Sequence, residues 1–256
     1  MKILFIGDVQ GQENSAKLGK VISDIKVVEK PEIVIVNGEN SADGTGITPK
    51  TAKTLFDSGA DVITTGNHAF RRKEMDSMFN EHLSNVIRPA NFGDDCPGKG
   101  FLVIDCGYCE LCVVNIIGMV YMPPCDNPFK CADKILSEIK TPNIIVDFHA
   151  EATSEKKAMA FHLAGRVSAV IGTHTHVQTA DEQIIAKHTA FISDVGMVGA
   201  VDSVIGVEKN VVQSFYNYYP QKHKVAEGVT EFNAVLIETE TSTGRAISIE
   251  RLKKII

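Results

Sequence analysis

The sequence of 256 residues predicts an α/β fold in a single domain, residues 1–256, with helices outside packed sheets. Three observations predict it. Five apolar runs rich in Val and Ile read as buried strands of a parallel sheet. Strands and helical stretches alternate through the first half, the βαβ rhythm of such a sheet. After residue 176 the pattern turns antiparallel, so the sheets are mixed.

The elements follow in order. KILFIGD is the first strand, and residues 14–28 form a helix with Leu18, Val21, Ile22 and Ile25 on one buried face. EIVIVNGEN is the second strand run. Thr48 then caps a helix with Pro49 at its first position, which runs to about Ser58 and stops at Gly59. DVITTGNH is the third run, followed by a helix over residues 71–82. Strands at 101–105 and 111–117 make a hairpin around CGYCE. Residues 119–129, with three prolines and no period, are a loop. Helices follow at 130–139 and 153–163, on either side of the strand NIIVDFH. SAVIGTHTH is the fifth run and residues 190–193 a short strand. DVGMVGAVDSVIG is a glycine-punctuated loop, and strands at 233–240 and 245–251 form a hairpin around TSTG.

Composition narrows the function. Twenty-six basic against 32 acidic residues leave a formal charge of −6, which disfavours general nucleic-acid binding, since that affinity comes from clustered Lys and Arg. A small phosphate ester stays open as a partner, because bound metal reverses the local field. The N-terminus has no signal peptide pattern and no run reaches the roughly 20 apolar residues of a membrane span. A cytoplasmic location follows, with six reduced cysteines.

The chemistry sits where the five runs end, at Asp8, Glu39 with Asn40, Asn67 with His68, His149, and His174 with His176. In open α/β sheets ligands bind in the crevice outside the carboxyl ends of the strands. Singly, each residue has an ordinary explanation: a helix-capping Asp, a turn with an incidental His, a hydrogen-bonded core His. Together they point to metal. A carboxylate such as Glu39 can bridge two cations, and amide oxygens are hard ligands. His174 and His176, one residue apart, face the same way in extended backbone. His82, His162, His188 and His223 read as structural or solvated. Cys106, Cys109 and Cys112 have part of an iron–sulfur spacing, but a hairpin separates them and no C-x3-C-P follows, so they read as thiols.

The ordered set GD, GEN, GNH, DFHAEATSEK and GTHTH resembles the YmdB-like metallophosphoesterases, a branch of the calcineurin-like superfamily. RPANF with PGKG, YMPPCDNPF and SDVGMVGAVDSVIG extend the resemblance over nearly the whole chain. Gln10 and Glu39 stand where the wider superfamily has His and Asp, as that branch itself shows. The resemblance implies a four-layer α/β/β/α sandwich with a two-metal centre. Asp8, Glu39, Asn40 and His176 would hold one ion, and Glu39, Asn67, His149 and His174 the other. Oxygen and nitrogen ligands without thiolates fit iron first, or manganese, better than structural zinc. It further implies hydrolysis of 2′,3′-cyclic nucleotides, by attack of a metal-activated hydroxide at phosphorus with His68 as general acid. Tyr121 or Phe129 is the expected platform for the base. Two alternatives stand beside this: a phosphomonoesterase or nucleotidase with the same centre, and a metal-binding regulator with incidental hydrolysis. Pairing of an exposed 233–240 edge between subunits would give a homo-oligomer.

Overall fold

A computed structural model describes residues 1–80 and 85–256. In chain order the first half comprises β1 (Lys2–Ile6), β2 (Asp8–Val9), α1 (Gly11–Val28), β3 (Ile33–Asn37), α2 (Pro49–Asp57), β4 (Val62–Thr64), α3 (Met75–Asn80) and β5 (Val86–Ile87). The middle adds β6 (Phe101–Asp105), β7 (Glu110–Ile117), α4 (Pro128–Glu138), β8 (Ile144–His149), α5 (Thr153–Leu163), β9 (Ala169–Thr173), β10 (Gln183–Ile185) and β11 (Thr189–Ile192). The chain closes with β12 (Met197–Ala200), α6 (Val212–Asn217), β13 (Thr230–Glu240) and β14 (Arg245–Ile255).

Two sheets result. One runs β2-β12-β13-β1-β3-β4-β5, with β14 on the far side of β13; the other runs β10-β11-β9-β8-β7-β6. β1, β3, β4 and β5 are mutually parallel, as are β7, β8, β9 and β11. Alternate residues of β1 serve different layers, which explains a strand apolar on both faces. Leu4 and Ile6 join Leu18, Ile22 and Leu55 of α1 and α2. Ile3 and Phe5 meet Val113, Ile145 and Ile171 of the other sheet. Beyond that sheet, Val146 and Phe148 pack on Ile135, Met159 and Leu163 of α4 and α5. The order is therefore helices, sheet, sheet, helices: a four-layer α/β/β/α sandwich.

Local chemistry sets the boundaries. Thr48 and Thr51 cap α2 reciprocally, each hydroxyl accepting from the other's backbone N–H at 3.2 and 3.0 Å. α4 begins two residues before its expected start because Asn127 accepts from the N–H of Phe129 and Lys130, with Pro128 in the first turn. α1 begins three residues early, at Gly11. The expected end of the third helix, at His82, lies outside the described residues.

Three expectations are corrected. The glycine-punctuated loop 194–206 contains β12, which pairs parallel with β2 and antiparallel with β13 and so ties the loop to the sheet. The chain after residue 176 is only partly antiparallel, since β11 lies parallel to β9. Residues 233–240 are no open edge: β13 is flanked by β1 and β12 on one side and by β14 on the other. The outer position belongs to β14.

Candidate metal centre

The parallel strands of both sheets end at one crevice. β1, β3 and β4 deliver Asp8, Glu39, Asn40, Asn67 and His68; β8 and β9 deliver His149, His174 and His176. Gly66 explains how they come so near. A Cβ there would lie 2.3 Å from Glu39 Oε2 and 2.4 Å from His149 Nε2, so only glycine leaves the centre open.

The contacts fall into two groups that share Glu39. Glu39 Oε1 lies 3.2 Å from His149 Nε2, which is also 3.0 Å from Asn67 Oδ1 and 3.1 Å from His174 Nδ1. On the other side Glu39 Oε1 takes Asn40 Nδ2 at 3.3 Å, and Asn40 Nδ2 lies 3.3 Å from His176 Nε2. Asp8 Oδ1 is 3.7 Å from that same nitrogen. Ligating atoms of Glu39, His149 and His174 all fall within 4.8 Å of one another.

Each of these three rings is anchored through one nitrogen and turns the other inward. His149 Nδ1 meets Thr173 Oγ1 at 2.9 Å, and that hydroxyl donates to Asp147 at 2.7 Å. His174 Nε2 meets Glu151 at 3.1 Å, and His176 Nδ1 donates to the Ile205 carbonyl at 2.8 Å. Histidines that bind metal are held in this way, the outer acceptor fixing the tautomer. Asp147 is itself held by Thr64 and Asn37.

The electrostatics describe a site balanced by protons. Burial opposes ionisation of Glu39, but the charge and hydrogen bond of His149 overcome it and hold the carboxyl well below its ordinary range. Burial works against Asp8 too, and His176 outweighs it. Burial would lower His149, yet Glu39 carries it to about 9. His174, desolvated and beside His149, falls to about 3. Asp8 Oδ1 is buried with no hydrogen-bond partner. Such an orphan oxygen among inward-facing imidazole nitrogens and a second carboxylate suits a cation.

All eight expected residues thus gather here, with differences in detail. His174 and His176 converge through a turn, not through extended backbone: β9 ends at Thr173 and their φ values are +100° and +66°. That left-handed backbone is rare outside glycine. The turn is held by His174 N–H donating to Asp8 and by Thr175 donating twice to Asp194, which also binds Lys156 in a buried ion pair at 2.8 Å. Asn40 presents Nδ2 to the centre while its Oδ1 faces His68 Nδ1 at 2.8 Å. His68 and Asn67 diverge as neighbours leaving a strand do.

His68 borders a cavity of about 390 Å³ over the centre. Tyr121 and Phe129 do not line it, being placed elsewhere by their chain: Tyr121 is 90% exposed, and Phe129 packs on the α4–α5 layer. Phe215 is the aromatic that does. Sequence alone assigns no role to Gln10, which lies 3.2 Å from His176, or to Glu151, two residues beyond His149 and 3.1 Å from His174 Nε2. His223, read as solvated, also lines the cavity. The cysteine run splits between layers, Cys112 facing α4 and α5 and Cys106 the intersheet core.

The chain has relatives among known proteins. A family described as "YmdB-like protein" matches residues 4–252. The 2′,3′-cyclic-nucleotide 2′-phosphodiesterase of Bacillus subtilis (strain 168) is 44% identical over 255 residues, covering 98% of this chain and 96% of that one. A solved structure of a hypothetical protein from Thermus thermophilus superposes with a TM-score of 0.94 at 38% identity, covering 100% and 99%. A novel phosphatase of Mycoplasma pneumoniae superposes at 0.93 with 31% identity, covering 100% and 93%.

Proposed function

The chain belongs to the YmdB-like protein family, and on that premise we propose that it is a metal-dependent phosphodiesterase that opens 2′,3′-cyclic nucleotides. The observation that carries this reading is the set of three imidazoles, each anchored on its outer nitrogen, with the inner nitrogens of His149 and His174 beside Glu39 and that of His176 beside Asn40 and Asp8. The relative of known activity, similar over its whole length, supports the substrate class.

Two ions fit the two contact groups. Asp8, Glu39, Asn40 and His176 would hold one; Glu39, Asn67, His149 and His174 would hold the other. The orphan oxygen of Asp8 would gain its missing partner, and Asn40 would join through Oδ1, whose second lone pair stays with His68 Nδ1. Iron is the first choice for this donor set and manganese the second. Bound there, the ions would neutralise phosphoryl oxygens and lower the pKa of an attacking water.

The chain's own residues do the rest. Asn40 anchors His68 through Nδ1, which leaves Nε2 as the nitrogen free to serve the cavity. His68 gives a proton to the leaving 2′ oxygen as a new bond from water oxygen to phosphorus forms. The P–O2′ bond breaks, and the product is a 3′-phosphonucleotide. A side-by-side assay of 2′,3′-cyclic AMP and AMP with metal-loaded protein tests the reading. Preferential turnover of the cyclic diester is expected. Preferential turnover of AMP would make the enzyme a phosphomonoesterase instead.

A further inference from the structure

The chain between residues 208 and 224 leaves the fold at a narrow neck and returns along the wall of the cavity. Val207 bridges both Val204 and Val225, Glu208 N–H donates to the Lys224 carbonyl at 2.9 Å, and Ala226 N–H to that of Gly206 at 2.9 Å. From 209 to 224 it reads KNVVQSFYNYYPQKHK, with no Asp or Glu in a chain of formal charge −6. Four of the five residues 215–219 are aromatic. Phe215, Tyr216, Tyr218 and Tyr219 are 76%, 83%, 91% and 66% exposed.

This excursion separates two cavities. Phe215, His223 and Lys224 wall the 390 Å³ space over the centre. His223 and Lys224 also wall an adjoining cleft of about 800 Å³, which Lys222 lines and which reaches Lys17 and Arg72. The first space has the size of a site for one small ligand. The second is larger, shares His223, Lys224 and Val225 with the first, and is also lined by Glu208 and Glu227. Lys17 is engaged by Glu13 at 2.8 Å, and Arg72 lies 3.7 Å from Asp43. Lys222 and Lys224 have no carboxylate partner among the described residues.

We propose that the site takes the 3′ end of an oligoribonucleotide bearing a terminal 2′,3′-cyclic phosphate, with the preceding nucleotides lying along the 208–224 excursion. The proposal rests on the cyclic-phosphodiesterase reading and extends it to a polymer end. Exposed aromatics clustered this closely mark an interaction surface. With the unpaired Lys222 and Lys224 following them, they have the composition of a stacking platform for single-stranded bases with cations for the backbone. A local patch of this kind is compatible with the acidic balance of the whole chain, since it serves a few nucleotides rather than a duplex. The chemistry is unchanged: water oxygen bonds to phosphorus, P–O2′ breaks, the 2′ oxygen takes the proton, and the oligonucleotide leaves with a 3′-phosphate.

The test compares kcat/KM for 2′,3′-cyclic AMP with that for tetraadenylate ending in a 2′,3′-cyclic phosphate. The tetramer is favoured by about tenfold or more, the scale of one stacked base. That ratio falls toward one in the Tyr216→Ser, Tyr218→Ser, Tyr219→Ser triple variant, and K222Q with K224Q flattens its dependence on salt. A wild-type ratio of one or below overturns the proposal and leaves the cyclic-nucleotide reading standing. Should neither compound turn over, the reading of the reaction fails. Fluorescence anisotropy with 5′-labelled hexaadenylate 3′-phosphate then decides, and no binding overturns the proposal. If the triple variant changes a dimer to a monomer on gel filtration while keeping the ratio, the aromatic face is an interface between copies and the proposal is wrong.

Discussion

His68 and His149 both lie against Glu39, yet their surroundings give them different work. His149 is fully buried, and its Nε2 meets Glu39, Asn67 and His174. His68 touches the centre with Nδ1 and borders the cavity. Replacing His68 with Ala should lower turnover of 2′,3′-cyclic AMP by about 10²–10⁴ while elemental analysis finds metal near wild type. Retained turnover would remove it as general acid. Glu39→Gln should empty both positions, and full occupancy in that variant would end its role as bridge. The pH dependence follows from His149. In the metal-free protein its pKa is raised to about 9, so its protonated ring stabilises the fold below about 6.5 and that contribution is lost as pH rises through 9. An ion needs the neutral ring, so affinity should climb as pH rises toward about 9 and level off above it, with proton release below that pH. Calorimetric Mn²⁺ titrations at pH 7 in buffers of different ionisation heat measure it. Identical heats would show that no proton leaves.

Strand ends position these residues, and turns finish the work. Asp8, Glu39, Asn67, His149 and His174 were legible because buried runs ended in polar residues. The turn holding His174 and His176 at positive φ was not. It depends on Asp194, twenty residues from His174, and on its ion pair with Lys156 of α5. No local pattern announces such a partnership. Asp194→Asn should leave the buried Lys156 ammonium poorly matched and cost about 3–5 kcal/mol in urea denaturation. A loss below 1 kcal/mol would show that the turn stands without it. β12 was hidden for a related reason, since its glycines read as a loop until pairing with β2 and β13 is considered. Gly66 makes a simpler case. Its Ala variant should fold and lose metal, because the added methyl would occupy the space beside Glu39 and His149.

At the scale of the molecule, the centre is where two sheets meet. One supplies Asp8, Glu39, Asn40, Asn67 and His68 and the other His149, His174 and His176, so bound ions would join layers otherwise held by the intersheet core. Helices outside packed sheets were legible from the buried strand runs, and the four-layer order followed from the family resemblance, whereas the placement of β13 between β1 and β14 was not legible, because sequence carries no signal for which strand lies outermost. Ions at about a hundred times their Kd should stabilise the fold by about 2.7 kcal/mol, seen as a lower calorimetric Tm after chelation. An unchanged Tm would place the ions outside the intersheet contact. The proposed reaction can be followed by phosphorus NMR of 2′,3′-cyclic AMP incubated with metal-loaded protein. The cyclic diester signal should be replaced by that of 3′-AMP. An unchanged diester signal, or conversion to 2′-AMP, would contradict it.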